Sequence, residues 1–382
     1  MASRTVDVLA SGPPSSDPYD PAASAWALAG ALAAQGDSVT VLHPSGSPGD
    51  PPPTGTRAVP VDLPLRRPGA AVEAAEFATA AAKQVRRTAE LVLRDPTGLG
   101  RLGLHRGSNG GPLVAAFVRG VELDSFDQER AGRAVPGLRA RWDTWRDRRT
   151  VRRMEEAALK EADRLFYDSA QLPTALLREY RIPERRFRAT LPPVASLPAA
   201  PTRDAARASF RIPTDVPVVV APAAFDRPEP SGIDRAREAF RRVRSFFPGA
   251  RLIVVGASSA AEPGVAVAAE RDGATLARAL AASDVAVFDR RVPGFDPGVV
   301  LALRAGRSVV VGPSVHLPVD PGPTVRTLTS DDAGEFASVL AELLADPAVR
   351  RTLSAGGERY AAPFDPARVA EVVTSATLRG AN

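Results

Sequence analysis

Residues 283–312 read SDVAVFDRRVPGFDPGVVLALRAGRSVVVG. Val285–Phe288 is an apolar run without polar alternation, the pattern of a parallel strand covered on both faces. A Pro- and Gly-rich loop follows. Val299–Ala305 is apolar enough for a helix lying on a sheet, and Gly306 stands where such a helix stops. Ser308–Val311 supplies the next strand, completing a β-loop-α-β crossover. In open parallel sheets ligands sit at the carboxyl ends of the strands, so chemistry is expected in the loop 289–298.

The same alternation is written at the start of the chain. Thr5–Ala10 (TVDVLA) reads as a strand, Pro21 opens a helix that stops at Gly36, and DSVTVLH gives a second strand, a βαβ opening typical of doubly wound domains. Residues 44–56 form a polar Pro/Gly loop, and 57–65 a third strand. The alanine-rich run from Ala71 to Arg94 reads as one long helix with Phe77, Val85, Leu91 and Val92 as buried candidates. Residues 95–112 are glycine-rich but carry no GxxxxGK[ST], which excludes a phosphate-binding P-loop. Residues 112–120 give another strand. Trp142 and Trp145 lie three apart on a densely charged helix, a spacing that fits either packing within the domain or an exposed partner surface.

Composition narrows the classes. At 382 residues the chain is long enough for two domains. The net charge is +5, yet arginines alternate with acids through most helices, and no reader motif for nucleic acid is present. With no cysteine there are no disulfides and no thiolate chemistry. His43, His105 and His316 are scattered, without a His/Asp/Glu cluster at metal-ligand spacing, so no metal or cofactor is expected. No run of 18 apolar residues and no signal-peptide pattern occurs, which leads to the expectation of a cytoplasmic protein from a GC-rich bacterial genome.

The stretch 281–312 resembles the signature of retaining glycosyltransferases of the family-four type: a-a-D-v-x-v, a loop ending E-G-F-G, a helix with E-A-m-A-x-G, then a strand of valines. Asp284, Gly294, Phe295, Ala302 and Gly306 carry the match. Residues 155–194 are similar to the same family through Ala162, Asp163, Ser169, Tyr180, Ile182, Pro183, Pro192, Pro193 and Val194, and FPGARLIVVG matches its p-x-a-r-L-x-i-v-G. The resemblance implies a GT-B architecture: two Rossmann-like, doubly wound α/β domains facing a central cleft. The expected boundaries are 1–195 for the acceptor-side domain and 202–362 for the nucleotide-sugar-side domain, with 363–382 crossing back to the first.

The family's donor-site residues are where the sequence departs. Pro293 stands in place of the first glutamate and Leu301 in place of the second. The loop DRPEPSG corresponds to one that carries an arginine and then a lysine before glycine. Here Ser231 precedes Gly232, and either Asp226 or, with a one-residue deletion, Arg227 holds the arginine position. Two cations there stabilise a diphosphate leaving group as its charge develops. Arg290, Arg291, Gly294, Phe295 and Asp296 are candidates for a replacement donor site; Asp289, Arg290, Arg291 and Asp296 equally suit pairing with one another. On the acceptor side the candidates are Gly12, in a loop stiffened by prolines that lack N–H groups, and Arg119 and Glu122 at a strand end.

Two functions follow from the resemblance and its gaps. One is a pseudo-glycosyltransferase that keeps the fold and serves as a binding or regulatory partner, for instance of an active paralogue. The other is an active transferase using a UDP- or GDP-linked nucleotide sugar through a rearranged site. No residue is assigned a catalytic role.

Overall fold

The structure, a computed structural model, describes residues 3–20, 22–46, 49–63, 70–95, 101–104, 111–118, 138–169, 172–223, 233–256, 262–290 and 294–378. The chain divides into two compact units. One comprises Met1–Ser15, Pro21–Pro193 and Pro366–Asn382, the other Ser16–Asp20 and Val194–Asp365.

The first unit is built on a seven-stranded sheet. Its strands are β1 (Thr5–Ala10), β2 (Ser38–Pro44), β3 (Thr56–Val61), β4 (Leu91–Asp95), β5 (Leu113–Val118), β6 (Arg164–Tyr167) and β7 (Phe187–Ala189). Every pairing is parallel and the order is β3-β2-β1-β4-β5-β6-β7. Helices α1 (Ala23–Ala34), α2 (Ala70–Ala82), α3 (Leu138–Glu161) and α4 (Leu172–Tyr180) make the crossovers among the described residues. Successive side chains of a strand point to opposite faces. Thus Leu91 and Leu93 join Val6, Val8, Trp26 and Leu28 in one core layer, while Val92 joins Leu159, Leu165 and Leu176 in the other.

The second unit has a six-stranded sheet of β8 (Val218–Pro222), β9 (Arg251–Val255), β10 (Val265–Ala268), β11 (Val285–Phe288), β13 (Ser308–Val311) and β15 (Val325–Thr327); β12 (Gly294–Phe295) and β14 (Val315–His316) form a separate parallel pair. The large sheet runs β10-β9-β8-β11-β13-β15, again all parallel. Its helices are α5 (Arg203–Ser209), α6 (Ile233–Phe246), α7 (Gly273–Ala282), α8 (Pro297–Arg304), α9 (Ala333–Ala345), α10 (Pro347–Ala355) and α11 (Gly357–Ala361). The first strand of each unit sits between the second and the fourth. This is the doubly wound order, whose topological switch points lie beyond β1/β4 and β8/β11. Helix α12 (Pro366–Thr377) completes the first unit, where Val369, Ala370 and Val373 enter the core beside α1.

One expected element is overturned. The run 71–94 is not a single helix: α2 ends at Ala82, a turn follows, and Leu91–Asp95 is β4. Helix propensity yields to tertiary pairing here. The amide of Arg86 donates to Asp7 at 2.7 Å and its guanidinium to the same carboxylate at 2.6 Å, which turns the chain under β1. Leu91–Asp95 then pairs with β1 from Val6 to Ala10. By contrast the crossover that opens the sequence reading forms as expected. Gly306 takes a φ of +68° directly after the last turn of α8 and its cap, a conformation that favours glycine.

The two aspartates of the resemblance, Asp163 and Asp284, sit at the amino ends of the sheets, remote from the switch-point ends. Asp163 accepts the amide of Val114 at 3.0 Å, and Asp284 accepts that of Val218 at 2.8 Å. Each ties the start of its own strand to the start of the neighbouring one. Asp284 also pairs with Arg203 at 2.5 Å and with Arg207 at 3.1 Å, the latter enclosed and bonded further to the carbonyls of Ala282 and Thr214.

Candidate functional site

The switch point of the second sheet brings together the carboxyl end of β11, the loop after it and the start of α8. Asp289, the first residue beyond β11, is buried. Both of its carboxylate oxygens are held by the guanidinium of Arg235 from the first turn of α6, and Arg235 also reaches Asp331. The Asp289 carboxylate lies against Gly312, at the end of β13, where a Cβ would collide with it. Glycine is therefore required at 312 by contact, not by backbone angle.

Arg290 folds back over the loop. Its guanidinium donates to the carbonyl of Phe295 at 3.2 Å and lies 3.9 Å from the carboxylate of Asp296. Asp296, 2% exposed, is the N-cap of α8 and accepts the amide of Gly298 at 2.9 Å. Pro297 occupies the first helical position and has no N–H to offer. Gly298 has no room for a side chain: the hydroxyl of Tyr19 and the ring of Phe288 fill the space a Cβ would take. Gly294 and Phe295 pair with Val315 and His316, and the ring of Phe295 stacks on Phe364 with centroids 5.8 Å apart and planes within 2°. Tyr360 packs on Phe364 in turn, and burial pushes its phenol up to about 12.

Of the donor-side candidates, Arg290, Gly294, Phe295 and Asp296 are thus brought into one place. Arg227, Ser231, Gly232 and Arg291 lie outside the described residues, as do Pro293 and the acceptor-side candidates Arg119 and Glu122. Leu301, which stands at the second glutamate position of the resembled pattern, is 1% exposed in the core of α8. Tyr19, Arg235 and Gly312 were not singled out from the sequence. Tyr19 and Arg235 meet the loop only through the fold, and Gly312 gave no motif signal.

In the first unit the loop after β1 is closed upon itself. The indole of Trp26 donates to the carbonyl of Gly12 at 3.0 Å. The amide of Asp50 donates to the carbonyl of Pro14 at 2.9 Å, and Pro13 and Pro14 press on Gly49. His43, at the end of β2, is buried beside Trp26 with ring centroids 5.8 Å apart. Gly12 thus presents its carbonyl inward to Trp26, an arrangement of acceptors and proline rings unlike a cradle of free amides.

The structure is similar to known structures over nearly the whole chain. Sucrose-phosphate synthase from Thermosynechococcus elongatus is similar with a TM-score of 0.69 at 20% identity, covering 97% of this chain and 97% of that one. WaaG, a glycosyltransferase involved in lipopolysaccharide biosynthesis, gives 0.72 at 16% identity over 98% and 100%. The fold is that of the GT-B glycosyltransferases. Anabaena HepE, in complex with UDP and glucose, shares it with a TM-score of 0.67 at 12% identity over 98% of each chain. No family model and no curated protein matches the sequence. No metal-holding group of three or more His, Cys, Asp or Glu occurs among the described residues, and no described helix is long and apolar enough to cross a membrane.

Proposed function

We propose that this chain is a pseudo-glycosyltransferase: a GT-B scaffold that binds or regulates a protein partner and does not transfer sugar. The observation that carries the reading is the carboxylate of Asp296 at the start of α8. A helix N-terminus on the carboxyl side of a parallel sheet is a natural seat for phosphate, because its free amides and dipole favour negative charge. Here the seat holds the chain's own anion, bonded to the Gly298 amide and facing Arg290. Pro297 removes one further donor, and the Tyr19 hydroxyl crowds Gly298. A diphosphate would have to displace a buried carboxylate and meet its charge. The described cations nearby are engaged as well, Arg235 by two aspartates and Arg290 by Asp296.

HepE holds UDP and glucose, so a nucleotide sugar of the UDP or GDP class is the ligand an active relative of this fold would take. Calorimetric titration with UDP, GDP and their common sugar conjugates tests the reading. The expected result is no nucleotide binding that depends on the donor-side loop: any heat at millimolar concentration is left unchanged by Arg290→Ala. Micromolar binding of one nucleotide, weakened by Arg227→Ala or Arg290→Ala, would overturn it in favour of an active transferase with a rearranged donor site. An Asp296→Gly variant is expected to gain affinity for pyrophosphate relative to the parent chain.

A further inference from the structure

In the first unit, helix α3 carries a second concentration of charge that the donor-side reading does not use. A groove of about 350 Å³ runs along it, lined by Trp145, Arg148, Arg149, Arg152, Arg153 and Glu156. The spacing of these positions places them on one face of the helix. Trp145 is 53% exposed, unusual for so large an apolar ring, and the Arg149 guanidinium lies 5.3 Å from its centroid.

The bland reading of arginines on an exposed helix is a solvated surface laced with ion pairs. Helix α6 shows what that looks like: Arg241 pairs with Glu238 and Glu262, and Arg242 with Glu238. Helix α3 differs. Glu156, the acid in the groove, is taken by Lys160 at 2.5 Å. Arg152 donates to the carbonyl of Glu179 at 3.2 Å, which satisfies a proton without cancelling the charge. Among the described residues, no carboxylate pairs with Arg149 or Arg153. Residues 138–153 hold seven arginines against two aspartates. Arg148, Arg149, Arg152 and Arg153 thus line one groove beside an aromatic ring.

We propose that this groove is a binding site for a phosphate-bearing ligand, its anionic group among Arg149, Arg152 and Arg153 and its apolar or ring portion against Trp145. Guanidinium forks match phosphate oxygens two at a time, and clustered like charges are relieved by a polyanion. The tryptophan ring adds a face for stacking or apolar contact. A soluble phosphate ester and an anionic lipid headgroup share this chemistry. The inference does not rest on the donor-side reading.

The test follows tryptophan fluorescence of the full chain during two titrations, one with inorganic pyrophosphate and one with phosphatidylglycerol vesicles, against vesicles of phosphatidylcholine alone. The variants are Arg149→Glu with Arg153→Glu and, as a charge-matched control, Arg241→Glu with Arg242→Glu on α6. Circular dichroism establishes that each is folded. A saturable response to pyrophosphate, weakened at least roughly tenfold by the α3 pair and spared by the α6 pair, supports the site and a soluble source. A response to phosphatidylglycerol alone, with the same pattern across variants, supports the site and a lipid source. No response to either probe, or equal weakening by both pairs, overturns the proposal.

Discussion

Asp284 accepts the Val218 amide and faces both Arg203 and Arg207, and burial pulls the Arg207 guanidinium below its usual range. Removing one partner of an enclosed pair leaves an uncompensated charge, which costs far more than the pair itself contributes. Asp284→Ala is therefore expected to destabilise the second unit by about 3 kcal/mol, read as a lower urea midpoint. Asp284→Asn, which keeps an acceptor for Val218, should fall between the two. Equal midpoints for the parent and Asp284→Ala would sink this account. The aspartate itself and its counterpart Asp163 stand out through the family signature they resemble, and the glycine stop at 306 through the apolar helix that precedes it. The partners of the aspartates do not. Arg207 is one of many arginines in the chain, and nothing in its neighbours indicates that it is 1% exposed. The same holds for Arg235 and Tyr19, whose meeting with the 289–298 loop is a product of the whole crossover.

At the scale of elements, helix α9 begins with two devices. Asp332 caps it through the amides of Gly334 and Glu335. Glu335 reaches back to accept the Ser330 hydroxyl at 2.6 Å, the Thr329 amide at 2.9 Å, the Thr329 hydroxyl at 2.8 Å and the Ser330 amide at 3.0 Å. These bonds, the Ser330 hydroxyl foremost, hold its carboxyl at about 2, below the ordinary 4.5. A carboxyl depressed in the folded state releases its proton more readily there than in the unfolded chain. Its contribution is thus complete above about pH 4.5 and is lost as the pH falls toward 2. Glu335→Gln should lower the midpoint near neutrality, where the carboxylate's contribution is complete, and flatten the dependence of stability on pH in that window, as followed by thermal midpoints from pH 6 to 2. Elements with a consistent local pattern, such as α6 and β11, could be read directly. Strand β4 could not. Its apolar core is only Leu91, Val92 and Leu93, placed after an alanine-rich run, so the helical pattern concealed it. Pairing with β1 and the Asp7–Arg86 bond decide the outcome, and both are contacts distant in sequence.

At the scale of the molecule, the two parallel sheets were legible because buried parallel strands write themselves as runs of valine and leucine. Helix α12 belongs to the first unit by its packing. Val369, Ala370 and Val373 enter the layer that also holds Trp26 and Leu28. The Arg4 guanidinium donates to the hydroxyls of Thr374 at 2.9 Å and Thr377 at 3.3 Å. A residue near the end of the sequence thereby supports the unit that contains its beginning. The chain has three tryptophans, Trp26, Trp142 and Trp145, and all fall in that unit. Tryptophan fluorescence is consequently a selective reporter of the first unit's unfolding. Val373 is wholly buried, whereas its neighbour Val372 is 40% exposed. Val373→Asp forces a charge into the core layer and is expected to lower the tryptophan-detected urea midpoint by an amount equivalent to about 3 kcal/mol or more. Val372→Asp, the same chemical change one position earlier, should leave that midpoint within about 0.5 kcal/mol of the parent. Equal effects of the two variants, or no effect of Val373→Asp on the tryptophan signal, would mean that α12 does not support the core around Trp26.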